Sequence, residues 1–485
     1  MKKLTTLVLA AGLLVSSFAG SASAGEFKPV FQLAEEFTYG DAGAYSPENF
    51  NATTRIRLGF DYVASEDLSA TILFQYRNGS WGNNNGNDFT ADHELSAMGT
   101  GSHFRMRLAY LDWTIPSTDV KVRMGRHAVV APSYAFGSAI LDGRGDGITI
   151  TSALNDNINV GFTWVRIDSG VRGSDKYLDK FGNAKPFGTW GYADDSDAVM
   201  LNAEFAYDGF KVAPWLMYAS TQKGAEAYLF TSDNNILSSR SPYFSDFAAD
   251  SFVIGASAEL NMFDPFVFAI DALYSNTKLH NANTLDDPFV EDSLDGFYIG
   301  AKASYKFDNG TASLGGWYAT GNDWNEGNFN RNDNGFVLLD GGFSASTILF
   351  DGNMVGVDGF TNVMNGGTDS PFGTWGIIAE YANFSFIENL SHTARVLYVK
   401  GTSENETAVA GTYYRTSNSL LGNFTKDDSA IEIDFDTTYQ IYKNLSATLQ
   451  LGYAIFDQSD LDPLDATLKE QDDIFRSALT FVYKF

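Results

Sequence analysis

Basic side chains recur two residues apart along the first third of the chain: Arg55 and Arg57, Arg105 and Arg107, Lys121 and Arg123, with Arg77 between the first two pairs. On an extended strand residues i and i+2 share a face, so each pair presents two cations in one direction. Cations fixed on a wall make no covalent bond; they attract anions, orient dipolar solutes and sort ions. A second set mixes the signs. Asp142, Arg144 and Asp146 alternate with glycines, Glu432, Asp434 and Asp436 occupy successive same-face positions, and Glu380 stands in a similar alternating segment. The plainer reading of both sets is mutual pairing or solvation of the wall. Chemistry of the bond-making kind is poorly represented. The five histidines, His93, His103, His127, His280 and His392, lack metal-ligand spacing, and no nucleophile-elbow, phosphate-loop or dinucleotide motif occurs, so no catalytic residue, metal or cofactor is expected.

The elements that carry these charges read as strands with two solvents on their faces. The terminal segment sets Phe475, Leu479, Phe481, Tyr483 and Phe485 on one side against Arg476, Ala478, Thr480 and Lys484 on the other. Elsewhere the apolar phase contains Ile56, Leu58, Phe60 and Tyr62, leaving Arg55, Arg57 and Asp61 inward, and the next strand leaves Gln75 and Arg77 inward. In the fourth segment strict alternation puts Phe104, Met106, Leu108 and Tyr110 outward and Arg105, Arg107 and Trp113 inward; in the fifth, Lys121 and Arg123 point inward. A basic side chain on a lipid face at mid-depth costs roughly 2–4 kcal/mol, so this register is strongly favoured if the outer solvent is a bilayer.

Period-two alternation alone also fits a half-buried soluble sheet. Other features decide the expectation. Short connections built from Asn, Asp and Gly, such as Asp208-Gly209 and Asp308-Asn-Gly310, alternate with long polar ones, including 78–101, 321–372 and 401–427. That is the asymmetry of a transmembrane barrel rather than a β-sandwich. We expect an all-β, antiparallel transmembrane barrel of about 16–18 strands. Residues 1–24 read as a secretory signal: Lys2 and Lys3, a short apolar stretch, then Ala22-Ser-Ala24; an N-terminal anchor helix is the alternative. Residues 25–485 form one domain. The chain has 485 residues, no cysteine, 39 Phe and 24 Tyr, and a net charge of −28 that becomes more negative when the signal is lost. Nucleic acid is an unsuitable partner for such a charge, and no disulfide framework is available.

The connection 127–147 is unusually apolar for a loop that meets water, which predicts that it folds into the barrel and brings Asp142, Arg144 and Asp146 to the narrowest point. Together with the Val-Arg-Met-Gly-Arg126 strand end, the Phe136-Gly-Ser-Ala-Ile-Leu-Asp142 segment, the Asn-Ala-Thr-Thr-Arg-Ile-Arg-Leu58 strand and the terminal Phe485, it makes the chain resemble the general bacterial porins, in particular the homotrimeric outer-membrane porins of sulfate-reducing bacteria. The resemblance implies a third loop folded into the lumen, with Asp142 and Asp146 facing Arg55, Arg57, Arg105, Arg107 and Arg123. It also implies a homotrimer whose first and last strands pack at the threefold axis, and a terminal Phe485 read by the barrel assembly machinery. The chain lacks the Pro-Glu-Phe-Gly loop motif of that family. The expected function is passive diffusion of small hydrophilic solutes and ions across the Gram-negative outer membrane, in contact with lipid and lipopolysaccharide. The alternatives are a solute-specific sugar or anion channel, or a barrel enzyme or adhesin using His127 or His392.

Overall fold

The computed structural model describes residues 25–41, 48–81, 104–168, 176–178, 184–186, 196–221, 248–280, 293–321, 341–350, 364, 369–403, 424–458 and 472–485. The expected signal at 1–24 and the histidines His93 and His103 lie outside them. The first strands are β1 (Glu26–Asp41), β2 (Glu48–Ser65), β3 (Leu68–Ser80), β4 (Phe104–Thr114), β5 (Val120–Val130), β6 (Asp142–Asn155) and β7 (Ile158–Asp168). A small separate hairpin follows, β8 (Lys176–Leu178) and β9 (Ala184–Pro186). The rest are β10 (Ser196–Tyr207), β11 (Phe210–Thr221), β12 (Ala248–Phe263), β13 (Phe266–His280), β14 (Ser293–Phe307), β15 (Gly310–Ala319), β16 (Thr374–Ile387), β17 (Leu390–Gly401), β18 (Ser429–Tyr442), β19 (Leu445–Asp457) and β20 (Ile474–Lys484).

Eighteen of these strands form one closed antiparallel barrel in chain order, with β7 pairing β10 past the small hairpin and β20 pairing β1. The closure is sealed at the last residue: Phe31 N–H donates to Phe485 O (3.0 Å) and Phe485 N–H donates to Phe31 O (2.9 Å). No edge is left unpaired among the eighteen. At one end the strands are joined by two-residue turns, except for the five residues 115–119 between β4 and β5, and Gly209 (φ 84) and Asn389 (φ 63) supply the left-handed backbone that two of the turns require.

The side-chain alternation is that of a barrel filled or wetted inside and apolar outside. On β13, Phe266, Phe268, Ile270 and Tyr274 are exposed on the outer face, whereas Asp271, Leu273 and Ser275 between them are buried. Aromatic belts ring the outer face at two heights. Several tyrosines of the belt far from the short turns donate their hydroxyl to a carboxylate beyond it: Tyr39 to Glu48, Tyr218 to Asp250, Tyr274 to Asp295 and Tyr453 to Asp473, at 2.8–2.9 Å. Glu35 of β1 has the outward phase: halfway between Phe31 and Tyr39, it accepts from Thr54 Oγ1 at 2.5 Å, and Thr54 in turn accepts from Trp81 Nε1 at 2.9 Å.

Strict alternation fails in β4. The β3–β4 register slips at Arg107, so beyond it Tyr110 pairs with Thr71 and Asp112 with Ser69 on the inner face, while Leu111 and Trp113 pair with the outward Ala70 and Leu68. The expectation for Leu108, Tyr110 and Trp113 is therefore reversed. A bulge adds one residue without adding a pairing, and every later side chain changes face.

Candidate functional site

Inward side chains of the barrel differ sharply around its circumference. From β1 to β5 they are mostly polar: Gln32, Glu36, Arg55, Arg57, Asp61, Thr71, Gln75, Asp112, Lys121, Arg123 and His127 share the inward phase, with Leu73 and Leu108 paired among them. Arg57 donates to Gln75 Oε1 (2.9 Å) and Gln32 Oε1 (3.1 Å), and Arg107 donates to the same Gln75 oxygen at 2.9 Å. One neutral acceptor thus holds two guanidinium groups side by side. Arg123 is gripped differently: it makes a two-bond pair with Asp112 (2.7 Å each) and lies over the Tyr110 ring with its guanidinium carbon 4.2 Å from the centroid. Arg55 is buried beside Ala34, and Lys121 and Arg105 are exposed. The backbone of Arg77 lies in β3 where the β2–β3 register shifts; its side chain is outside the described part. A polar recess of about 380 Å³, lined in part by Asp112, Lys121, Arg123, His127, Thr149 and Thr151, follows this wall toward the short-turn end. Arg476 of β20, which the sequence shows only as one member of an alternating face, joins this wall, buried with its Nε donating to Asp41 O at 2.7 Å.

From β11 to β17 the inward phase is largely apolar: Trp215, Met217, Val253, Leu273, Tyr298, Trp317, Ile378, Leu397 and Val399 are all buried. Two inward-folded segments cover them. The first, residues 131–141, is shorter than the expected 127–147, because β5 and β6 continue as a ribbon that outlasts their pairing with β4 and β7. Its tip reaches the far wall. Asp271 of β13 accepts Ser133 Oγ (2.7 Å), Tyr134 N–H (2.7 Å) and Ala135 N–H (2.8 Å), and Ser257 Oγ of β12 donates to Pro132 O at 2.8 Å. Phe136 then seats where β14 and β15 carry glycines; a Cβ at Gly315 would stand 2.6 Å from its ring. Burial and the Glu204 carboxylate beside it push the Tyr134 phenol up to about 12.

The second segment, 341–350, belongs to the long connection that reads as a polar loop in the sequence. Its Phe343, Ile348, Leu349 and Phe350 are all fully buried; the Phe343 ring packs on Phe136, Tyr298 and Trp317, and the Phe350 ring on Trp317. The inward acids of β18 hold it: Glu432 accepts the N–H groups of Ile348 and Leu349, and Asp434 accepts that of Thr347 at 3.0 Å. Their expected place, inward, is where the structure has them, but they face a loop and are buried. Asp436 pairs with Arg395 (2.6 Å), which also binds Glu380 (2.8 Å), and Lys302 completes the row at 3.0 Å. A cavity of about 100 Å³ lies between this row and Ser344–Thr347.

The charges of the ribbon do not all share one place. Asp142 and Arg144 are exposed on it, and Asp142 lies against Gly342 of the second segment. Asp146 has the phase of Ile148 and Ile150 on the outer face; its partner is Arg126 at 3.4 Å, next to the Arg166–Asp197 pair at 2.9 Å. His127 is held by Gly125 O and Thr149 Oγ1 (2.8 Å each), and His392 is bonded to Thr437 and stacked on Phe435 on the outer face.

No family model and no curated protein matches the sequence. Solved structures do match. OccK2 (OpdF) of Pseudomonas aeruginosa in complex with glucuronate aligns over 95% of this chain and 98% of its own, with a TM-score of 0.51 and 11% identity. OccAB3 of Acinetobacter baumannii aligns over 95% of this chain and 99% of its own, with a TM-score of 0.51 and 11% identity. The outer membrane protein OprD of Pseudomonas aeruginosa aligns over 94% and 93%, at 0.48 and 12%. The chain has the closed, antiparallel barrel fold of the outer-membrane porins.

Proposed function

We propose that this protein is an outer-membrane porin that passes small hydrophilic solutes and ions by passive diffusion along the wall of β1 to β5. The observation that carries the reading is the split lumen: guanidinium groups on one side with polar space beside them, and an apolar filling on the other. Arg55, Arg57, Arg77, Arg105, Arg107, Lys121 and Arg123 act as the cationic side of the constriction, to which the ribbon adds the exposed charges of Asp142 and Arg144. Asp146, on the outer face, drops out of that set. Planar-bilayer recording of purified protein tests the reading; stepwise conductance is expected, and a barrel that inserts without conducting overturns it.

A solute-specific anion channel is the second reading, favoured by the sharing of the neutral Gln75 oxygen between Arg57 and Arg107, which gathers two cations close together on one wall. The glucuronate bound to OccK2 is a carboxylate of the kind such a wall would recognise. The outer face suits lipid, with the carboxylates beyond the tyrosine belt at the height of lipopolysaccharide head groups. The homotrimer implied by the resemblance to porins of sulfate-reducing bacteria draws support from Glu35, because a carboxylate on the outward phase favours protein cover over hydrocarbon on β1 and β2. Phe485 is the proposed assembly signal, and its exposed ring leaves it available for recognition in that role.

A further inference from the structure

Three buried wall carboxylates make contacts that the diffusion pathway does not use. Asp271 takes three donors from the first inward segment, one side-chain hydroxyl and two successive backbone N–H groups, on both of its oxygens. Glu432 takes two successive backbone N–H groups of the second segment, one on each oxygen, and Asp434 takes the N–H preceding them. These carboxylates are 4%, 0% and 2% exposed. A carboxylate that accepts on both oxygens fixes the direction as well as the position of the peptide groups that donate to it. The two segments are also tied to each other: Gly342 N–H donates to Ser138 O and Ser344 N–H to Phe136 O, both at 2.8 Å. Gly137 (φ +87) lies at this junction with its built Cβ 2.0 Å from Gly342 O, so no larger residue fits.

We propose that Asp271, Glu432 and Asp434 are positioning residues that clamp the two inward segments to the β12–β18 wall as one body, and that this body sets the width of the channel. The inference rests on the channel reading above. Loosening either clamp frees both segments, because the loop-to-loop hydrogen bonds and the Phe136–Phe343 contact couple them. An amide in place of Asp271 or Glu432, each of which accepts on both oxygens, keeps the shape but turns an acceptor into a donor facing another donor.

The test uses Asp271→Asn and Glu432→Gln in the full chain, with retention of a heat-modifiable barrel on gels as the folding control. Each variant is expected to show at least a twofold change in single-channel conductance and greater open-channel noise, with the barrel intact. The native chain lacks cysteine, so Ala139→Cys, at a buried position of the first segment, gives a second readout that needs no conduction. A water-soluble maleimide is expected to label it at least tenfold faster when Glu432→Gln loosens the other segment. Unchanged conductance and noise in both folded variants, with unchanged labelling, overturn the proposal. A wild type that does not conduct overturns the channel reading instead, and the labelling rate still decides the clamp. Should Asp271→Asn not fold, Ser133→Ala, which removes a single donor, replaces it with the same expected direction.

Discussion

The two halves of this lumen are built from the same alternating code, yet one meets water and the other meets protein. On β2, β4 and β5 the inward positions include Arg57, Asp112 and Arg123, and their partners are side chains of neighbouring strands. On β11 to β17 the inward positions include Trp215, Leu273, Trp317 and Leu397, and the rings of Phe136, Phe343 and Phe350, from the connections after β5 and β15, pack against that wall. A wall residue's chemistry therefore reports what lies opposite it. Polar inward residues mark the open lane, and apolar ones mark where the chain returns to fill its own barrel.

The largest way to break this contrast is to remove the filling. Replacing residues 132–140 by a short Gly-Ser linker should raise single-channel conductance several-fold, measured in planar bilayers, because the tip on Asp271 is lost and the second segment loses its partner. Truncating one anchor is milder. Phe136→Ala removes a ring packed against Trp317 and Phe343 at 5.7 and 5.6 Å, a loss of about 3–5 kcal/mol by analogy with other buried phenylalanines. The expected readout is faster proteolysis of the inward segments at an unchanged barrel band. Gly137→Ala should cost about 1–2 kcal/mol for its left-handed backbone alone, and the approach to Gly342 O adds to it; a lowered thermal midpoint for loop release checks it. On the wet side, Arg123→Lys loses the two-bond pair with Asp112 and the seat on Tyr110. For this half-exposed pair the expected loss of stability is at most about 1 kcal/mol, with a small shift in ion selectivity that shrinks between about 0.1 and 1 M salt as screening shortens from about 10 to about 3 Å.

Much of the barrel is legible in the sequence because few folds other than a membrane barrel need long strands that are apolar on one face, charged on the other, and joined by turns and long loops in strict succession. A barrel of 16–18 strands, observed as eighteen, and the inward phase of Arg55, Arg57 and Arg123 follow from that pattern. The reversal at Trp113 does not, because a one-residue bulge at Arg107 leaves no compositional trace. The second inward segment is missed for a different reason. Residues 321–372 are rich in Gly, Asn and Asp, and Ile348-Leu-Phe350 is a short apolar island within them. The available signal lay elsewhere: inward Trp215, Trp317 and Leu397 make strands apolar on both faces, which a water-filled lumen leaves unexplained. The burial of Glu432 and Asp434 follows from the same omission, since acids on an inward phase read as pore lining until something is found to cover them.

Passage of solutes along the arginine wall is tested most directly by the reversal potential across a KCl gradient. Wild-type channels are compared with the Arg57→Gln/Arg107→Gln double variant, in which both groups held by Gln75 lose their charge. The expected result is a shift toward cation selectivity, larger at low salt, with the barrel still heat-modifiable. An identical reversal potential in the two channels at every salt concentration would contradict passage along this wall.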